Sequence, residues 1–145
     1  MTDYGRRTTL FLFCAFLTAC GASVPAPEQV PSDAKCARCG MPITKLAFAA
    51  EAVYSNASPR FYDDIGCLAA DSLARKSGGQ FYGQLAGGRG WVRVEDVAYA
   101  SPAGIQSPMG FNVAAYPEEE ARAADRAGRA RSWDELVYDI ERQGR

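Results

Sequence analysis

The sequence predicts an α+β fold: two strand–strand–helix units with antiparallel strands, followed by a C-terminal helix. Three observations predict it. The stretch AEAVYSNASPRFYDDIGCLAADSLARK runs from a strand with Val and Tyr through a turn to a second aromatic strand and an Ala-Ala-Asp helix. The stretch DVAYASPAGIQSPMGFNVAAYPEEEARAADRAG follows the same order, which suggests an internal repeat. After both, Trp133, Leu136, Val137 and Ile140 form one apolar helical stripe.

Arg6 and Arg7 precede an apolar run, TTLFLFCAFLTA, from Thr8 to Ala19. A membrane-spanning helix needs about 20 apolar residues, and this run has the length of a signal-peptide core instead. It ends in Leu17-Thr18-Ala19-Cys20 and then Gly21. Small residues before a cysteine resemble a bacterial lipobox, which implies cleavage after Ala19 and lipid attachment at Cys20. Residues 1–19 are therefore read as a signal peptide. Residues 20–34, rich in Pro, Ser and Ala and without apolar periodicity, are read as a lipidated N-terminus and flexible tether. Residues 35–145 are read as the folded domain.

Within it, Leu46–Tyr54 reads as a strand, 55–59 as a turn and Arg60–Asp63 as a second strand. Asp64 is positioned to cap a helix from about Ile65 to Lys76, and Gly78-Gly79 to stop it. In the second half Gly90–Ala100 alternates apolar residues as a strand does, Ser101–Gly110 reads as a long hairpin loop, and Phe111–Tyr116 as the returning strand. Pro117 followed by three glutamates suits a helix start, predicting a helix over Glu118–Ala127 ended by Gly128. The last helix, Trp133 to about Glu141, has Ser132 and Glu135 at capping-box spacing.

Composition excludes several functions. The chain has no histidine, so it holds no histidine base or ligand and no Ser-His-Asp triad. With 16 basic and 17 acidic residues it lacks the charge excess of a nucleic-acid binder. Of five cysteines, Cys14 leaves with the signal and Cys20 takes the lipid. Cys36, Cys39 and Cys67 remain, an odd number in a compartment where cysteines are ordinarily paired.

The most specific segment is Cys36-Ala37-Arg38-Cys39-Gly40-Met41-Pro42. A CxxC lets two sulfurs converge, and Gly40 with Pro42 shapes a tight turn able to bring the Met41 thioether near them. Thiolates and thioethers are soft donors that select Cu(I) over hard cations. Met109, in Ser107-Pro108-Met109-Gly110, sits in a second Pro/Gly-framed turn and offers another soft donor. Three alternatives stand beside a copper site. A zinc knuckle needs four ligands, so an Asp would have to complete three cysteines. A thioredoxin-type redox pair ordinarily opens a helix, whereas Gly-Met-Pro follows this one. A plain Cys36–Cys39 disulfide is the third. Cys67, at a helix start, reads more readily as a packed core residue than as a ligand, although a helix N-terminus would raise its reactivity.

Taken together, the lipobox, CARCGMPI, FYDDIGCLAADSLA, SPMGFNVAAY and the closing SWDELV resemble the NosL family, the accessory lipoproteins of nitrous oxide reductase. The resemblance extends over nearly the whole mature chain. It implies a pair of strand–strand–helix–strand units and a copper chaperone, not an enzyme, that binds Cu(I) and delivers it for copper-centre assembly. It places Cu(I) ligands at Cys39 and Met41, with Met109 from the second half and Cys36 beside them. It implies a lipid-anchored protein of the bacterial envelope facing the periplasm, partnered by a copper-accepting apo-enzyme or its membrane assembly complex. An envelope thiol–disulfide oxidoreductase using Cys36 and Cys39 is the alternative.

Overall fold

The structure is a computed structural model that describes residues 26–55, 57–74 and 79–144. The expected signal peptide, Cys20, the first part of the expected tether and the expected helix end at 75–78 lie outside the described residues. Among the described residues no helix is long and apolar enough to cross a membrane.

The α+β expectation holds. A four-stranded antiparallel sheet in the order β2-β1-β3-β4 stands beside a two-stranded sheet, β5-β6. The strands are β1 (Ala50–Tyr54), β2 (Ala57–Tyr62), β3 (Gln80–Gln84), β4 (Trp91–Arg93), β5 (Ala98–Ala100) and β6 (Ala114–Tyr116). The helices are α1 (Ile65–Ala74), α2 (Glu118–Ala124) and α3 (Trp133–Arg142). In the first unit β1 lies between β2 and β3, with α1 connecting the outer two. In the second, β5 pairs with β6, and after α2 the chain returns to bridge Tyr99 with Arg131 on the other side of β5. The second unit thus repeats the path of the first with a single bridge in place of the third strand. A parallel bridge between Leu85 and Ala115 joins the units.

Five elements differ from their predicted extents. Strand β2 runs over Ala57–Tyr62 where a turn over 55–59 and a strand over Arg60–Asp63 were expected, because Tyr54 pairs directly with Ala57 and Pro59 is tolerated on a sheet-edge strand. Leu46–Phe48 forms a 3-10 turn, and the strand starts only at Ala50. The expected strand over 90–100 breaks at a second 3-10 turn, Val94–Asp96, so its halves join different sheets. Alternation of apolar residues does not report such a corner. The corner is held because Val94 is buried and its carbonyl accepts the Tyr99 hydroxyl at 2.9 Å. The returning strand is shortened to three residues, because Asn112 adopts a left-handed φ of 54° and ties to Ser107 by two hydrogen bonds. Helix α2 ends at Ala124, where the Asp125 carboxylate takes the amides of Ala127 and Ser101.

Strand β3 was not anticipated from the sequence. Gly83 interrupts its pattern, and the structure gives the cause: a Cβ there would come within 2.8 Å of Ile65 Cδ1. Helix α3 seals the seam between the sheets. Leu136 and Ile140 are buried, and the Trp133 ring lies 6.3 Å from Phe81 and 5.8 Å from Tyr99, centroid to centroid. Its capping box forms as predicted, with Ser132 and Glu135 bonding reciprocally.

Candidate metal centre

The CxxC segment is a turn bolted to the end of β2. Lys35 and Pro42 bridge across its neck, the Cys36 amide donates to the Met41 carbonyl at 2.8 Å, and the Gly40 amide donates to the Cys36 carbonyl at 2.8 Å. Gly40 closes it with φ of 76°, a conformation that an L side chain resists. The Ala37 amide then donates to the Phe61 carbonyl at 2.8 Å. The Arg60 guanidinium donates to the Ala37 carbonyl at 3.1 Å and pairs with Asp71 of α1 at 3.3 Å, and Asp71 also accepts the Tyr62 hydroxyl at 2.7 Å.

That docking sets the CxxC beside the residues that follow β2. Two residues on from Phe61, Asp63 turns inward, and one turn into α1 stands Cys67. The result is four donor groups, Cys36, Cys39, Asp63 and Cys67, whose ligand atoms all lie within 4.8 Å of one another. This quartet can hold a metal ion. Cys36 and Cys67 are buried and Cys39 is partly exposed, with all three thiols free. The Cys39 sulfur lies 3.8 Å from each oxygen of Asp63.

The electrostatics follow from crowding. A hydrogen bond from the Cys67 thiol draws the Cys36 thiol well below its ordinary range, against the opposing effect of burial. Cys67, as the donor of that bond and as a buried group beside Asp63, is pushed up. Burial, then the neighbouring Cys36, raises the Asp63 carboxyl to about 6. Burial also raises Cys39.

Of the residues singled out from the sequence, the structure brings Cys36 and Cys39 together and adds Cys67 to them. Cys67 is packed in the core, as expected, and its sulfur also faces the other two. Met41 and Met109 are partly exposed, at 56% and 37%. Met109 shares the rim of a surface hollow of about 350 Å³ with Arg38, Gly110 and Phe111, next to the CxxC turn.

Asp64 holds that loop in place. This fully buried carboxylate caps α1 by accepting the Gly66 amide at 2.9 Å. Its other oxygen accepts the Ser107 hydroxyl at 2.6 Å and the Met109 amide at 3.1 Å. Phe111 from the same loop packs flat on Gly66, where a Cβ would come within 2.1 Å of its ring. Asp63 and the latching role of Asp64 were missed in the sequence. The available signal was the doubled acid before a helix: one aspartate suffices as a cap, so the second needs another role.

No known protein family, no curated protein and no solved structure matches the chain.

Proposed function

We propose that the protein is an envelope lipoprotein that carries Cu(I) on cysteine and methionine sulfur and passes it to a copper-accepting apo-enzyme. The single observation that carries this reading is the convergence of the Cys36 and Cys39 sulfurs in a chain without histidine. Such a site offers soft donors, which favour Cu(I). Cys39 is partly exposed, and Met41 and Met109 are exposed near it in the chain and at the hollow beside Arg38. A carrier needs this asymmetry. Buried sulfur retains the ion, while exposed thioethers accept it and release it to an incoming ligand. Transfer is then ligand exchange, with the acceptor's donor bonding to copper before the last chaperone sulfur leaves, and no catalysis is involved.

Signal cleavage, lipidation at Cys20 and a periplasm-facing membrane anchor belong to the same proposal, supported by the lipobox. Nitrous oxide reductase, or its membrane assembly complex, is the client that the NosL resemblance suggests. Anaerobic Cu(I) titration of the reduced protein against a chelator tests the reading. One Cu(I) should bind, and Met41→Ala or Met109→Ala should weaken it. Unchanged affinity in a combined Cys39→Ser, Met41→Ala variant would remove this assignment.

An envelope thiol–disulfide oxidoreductase draws support from the acidified Cys36 thiol. Its 2% exposure counts against it, because an attacking thiolate must reach the substrate disulfide. Reduction of a test disulfide by the Met41→Ala, Met109→Ala variant would favour this second reading.

A further inference from the structure

We propose that Cys36, Cys39, Cys67 and Asp63 form a metal seat that needs no methionine and closes around a zinc-type divalent ion. It does not rest on the copper reading. The first observation is the donor set. Structural zinc sites take four protein ligands in a tetrahedron, with sulfur at about 2.3 Å and carboxylate oxygen at about 2.0–2.2 Å. Sulfurs on such a tetrahedron stand about 3.8 Å apart. The four donor atoms here already lie within 4.8 Å of one another, so closure asks for about an ångström of contraction at most.

The second observation is the fourth donor. Cu(I) gains little from a carboxylate, which is a hard ligand, whereas zinc accepts oxygen and sulfur in one sphere. Asp63 is 2% exposed and lies in the Cys36–Cys39–Cys67 cluster. A thiol is a weak hydrogen-bond donor, so the Cys39 contacts at 3.8 Å offset little of the cost of burying a carboxylate. A divalent cation at the centre of the quartet would offset it directly. Magnesium and calcium are unsuited to three sulfurs.

The third observation is rigidity. The CxxC turn is fixed to β2 through Ala37 and Phe61, and Asp63 and Cys67 flank the capped start of α1. Two chain segments, the CxxC turn and the stretch from Asp63 to Cys67, are thereby held around one point, which is the arrangement a structural ion stabilises. Because Cys36 and Cys39 belong to both donor sets, the zinc seat and the proposed Cu(I) site exclude one another.

The test uses the fully reduced protein and Co2+ as a spectroscopic stand-in for Zn2+. Titration should saturate with a single ion, giving thiolate-to-cobalt charge transfer and tetrahedral ligand-field bands that Zn2+ then bleaches. Cys67→Ser and Asp63→Asn should each weaken Zn2+ by at least about tenfold in chelator competition. Met41→Ala with Met109→Ala should leave Zn2+ binding unchanged. An octahedral cobalt spectrum, or unchanged Zn2+ affinity in Asp63→Asn, overturns the proposal. If Cys67→Ser does not fold by circular dichroism, Asp63→Asn, nearly isosteric, decides alone. The copper reading fails separately, by insensitivity of Cu(I) to Cys39 and the methionines.

Discussion

The central strand of the first unit reads Ala50-Glu51-Ala52, and that of the second reads Ala98-Tyr99-Ala100. Their neighbours match as well: Ala50 pairs with Tyr62 where Ala98 pairs with Tyr116, and each of those tyrosines leads into a helix. On the far side Glu51 meets Tyr82, and Tyr99 meets Arg131. Ala98 and Ala100 pack with Ala121 of α2, and Ala50 and Ala52 lie in the core cluster that holds the buried residues of α1. The residue between them points the other way, and there the units part. Tyr99 enters the main core against Trp133, covered by α3. Glu51 is equally buried but accepts both of its short contacts from one amide, Glu28, at 2.9 and 3.1 Å.

The helices diverge in the same way. Helix α1 buries six successive residues, Ile65 to Ala70, while α2 buries Ala121. Before α1 stand Asp63 and Asp64, both buried; before α2 stands Pro117, followed by exposed glutamates. One path of the backbone therefore serves two purposes. The first unit concentrates buried polar groups and thiols, and the second lends a loop to it. The position of the candidate centre is set by which copy buries its helix start, not by topology.

Cutting the link between the units should have the largest effect. Asp64→Ala leaves the Ser107 hydroxyl and the Met109 and Gly66 amides without their acceptor, and we expect a loss of about 4 kcal/mol in urea unfolding. On the copper reading it also weakens Cu(I), with no further loss when combined with Met109→Ala, as a double-mutant cycle would show.

Next comes the strand-centre contrast. Burial raises the Glu51 carboxyl from 4.5 to about 7, so the native state keeps a proton that the unfolded chain releases. Its contribution to stability is complete below pH 4.5 and is lost as pH rises towards 7, up to about 3 kcal/mol. Glu51→Gln should remove that slope and stabilise the protein at pH 8, measured by denaturant unfolding across pH.

Gly66→Ala tests the seat of Phe111 on α1. The ring must move, and about 2 kcal/mol is expected in the same measurement. The smallest effect belongs to the second unit. Tyr99→Phe leaves the buried Val94 carbonyl without its hydroxyl partner, for about 1 kcal/mol and no change with pH. A pH-dependent Tyr99→Phe, or a flat Glu51, would erase the contrast.

Much of this was legible in the residues. The Ser132–Glu135 capping box, the α3 stripe and the start of α1 follow local rules that the tertiary structure obeys. The CxxC announces converging sulfurs wherever it lies. Strand β3 was hidden because the glycine that admits Ile65 is also a residue that strands disfavour. The corner at Val94 was hidden because it depends on a hydroxyl five residues ahead. Cys67 was read correctly as packed, yet packing and ligation are not alternatives when the core position faces two other thiols. Asp63 could not be told from a helix cap until the CxxC turn was seen against β2.

The Glu28–Glu51 contact also bears on reach. With Cys20 held in a membrane, as proposed, the free leash would run to the domain at residue 35, about 15 residues, or roughly 50 Å of extended chain. Docked at Glu28, it shortens to about eight residues and roughly 28 Å. The CxxC turn would then patrol a shell close to the bilayer surface, and partners farther out would have to come to it.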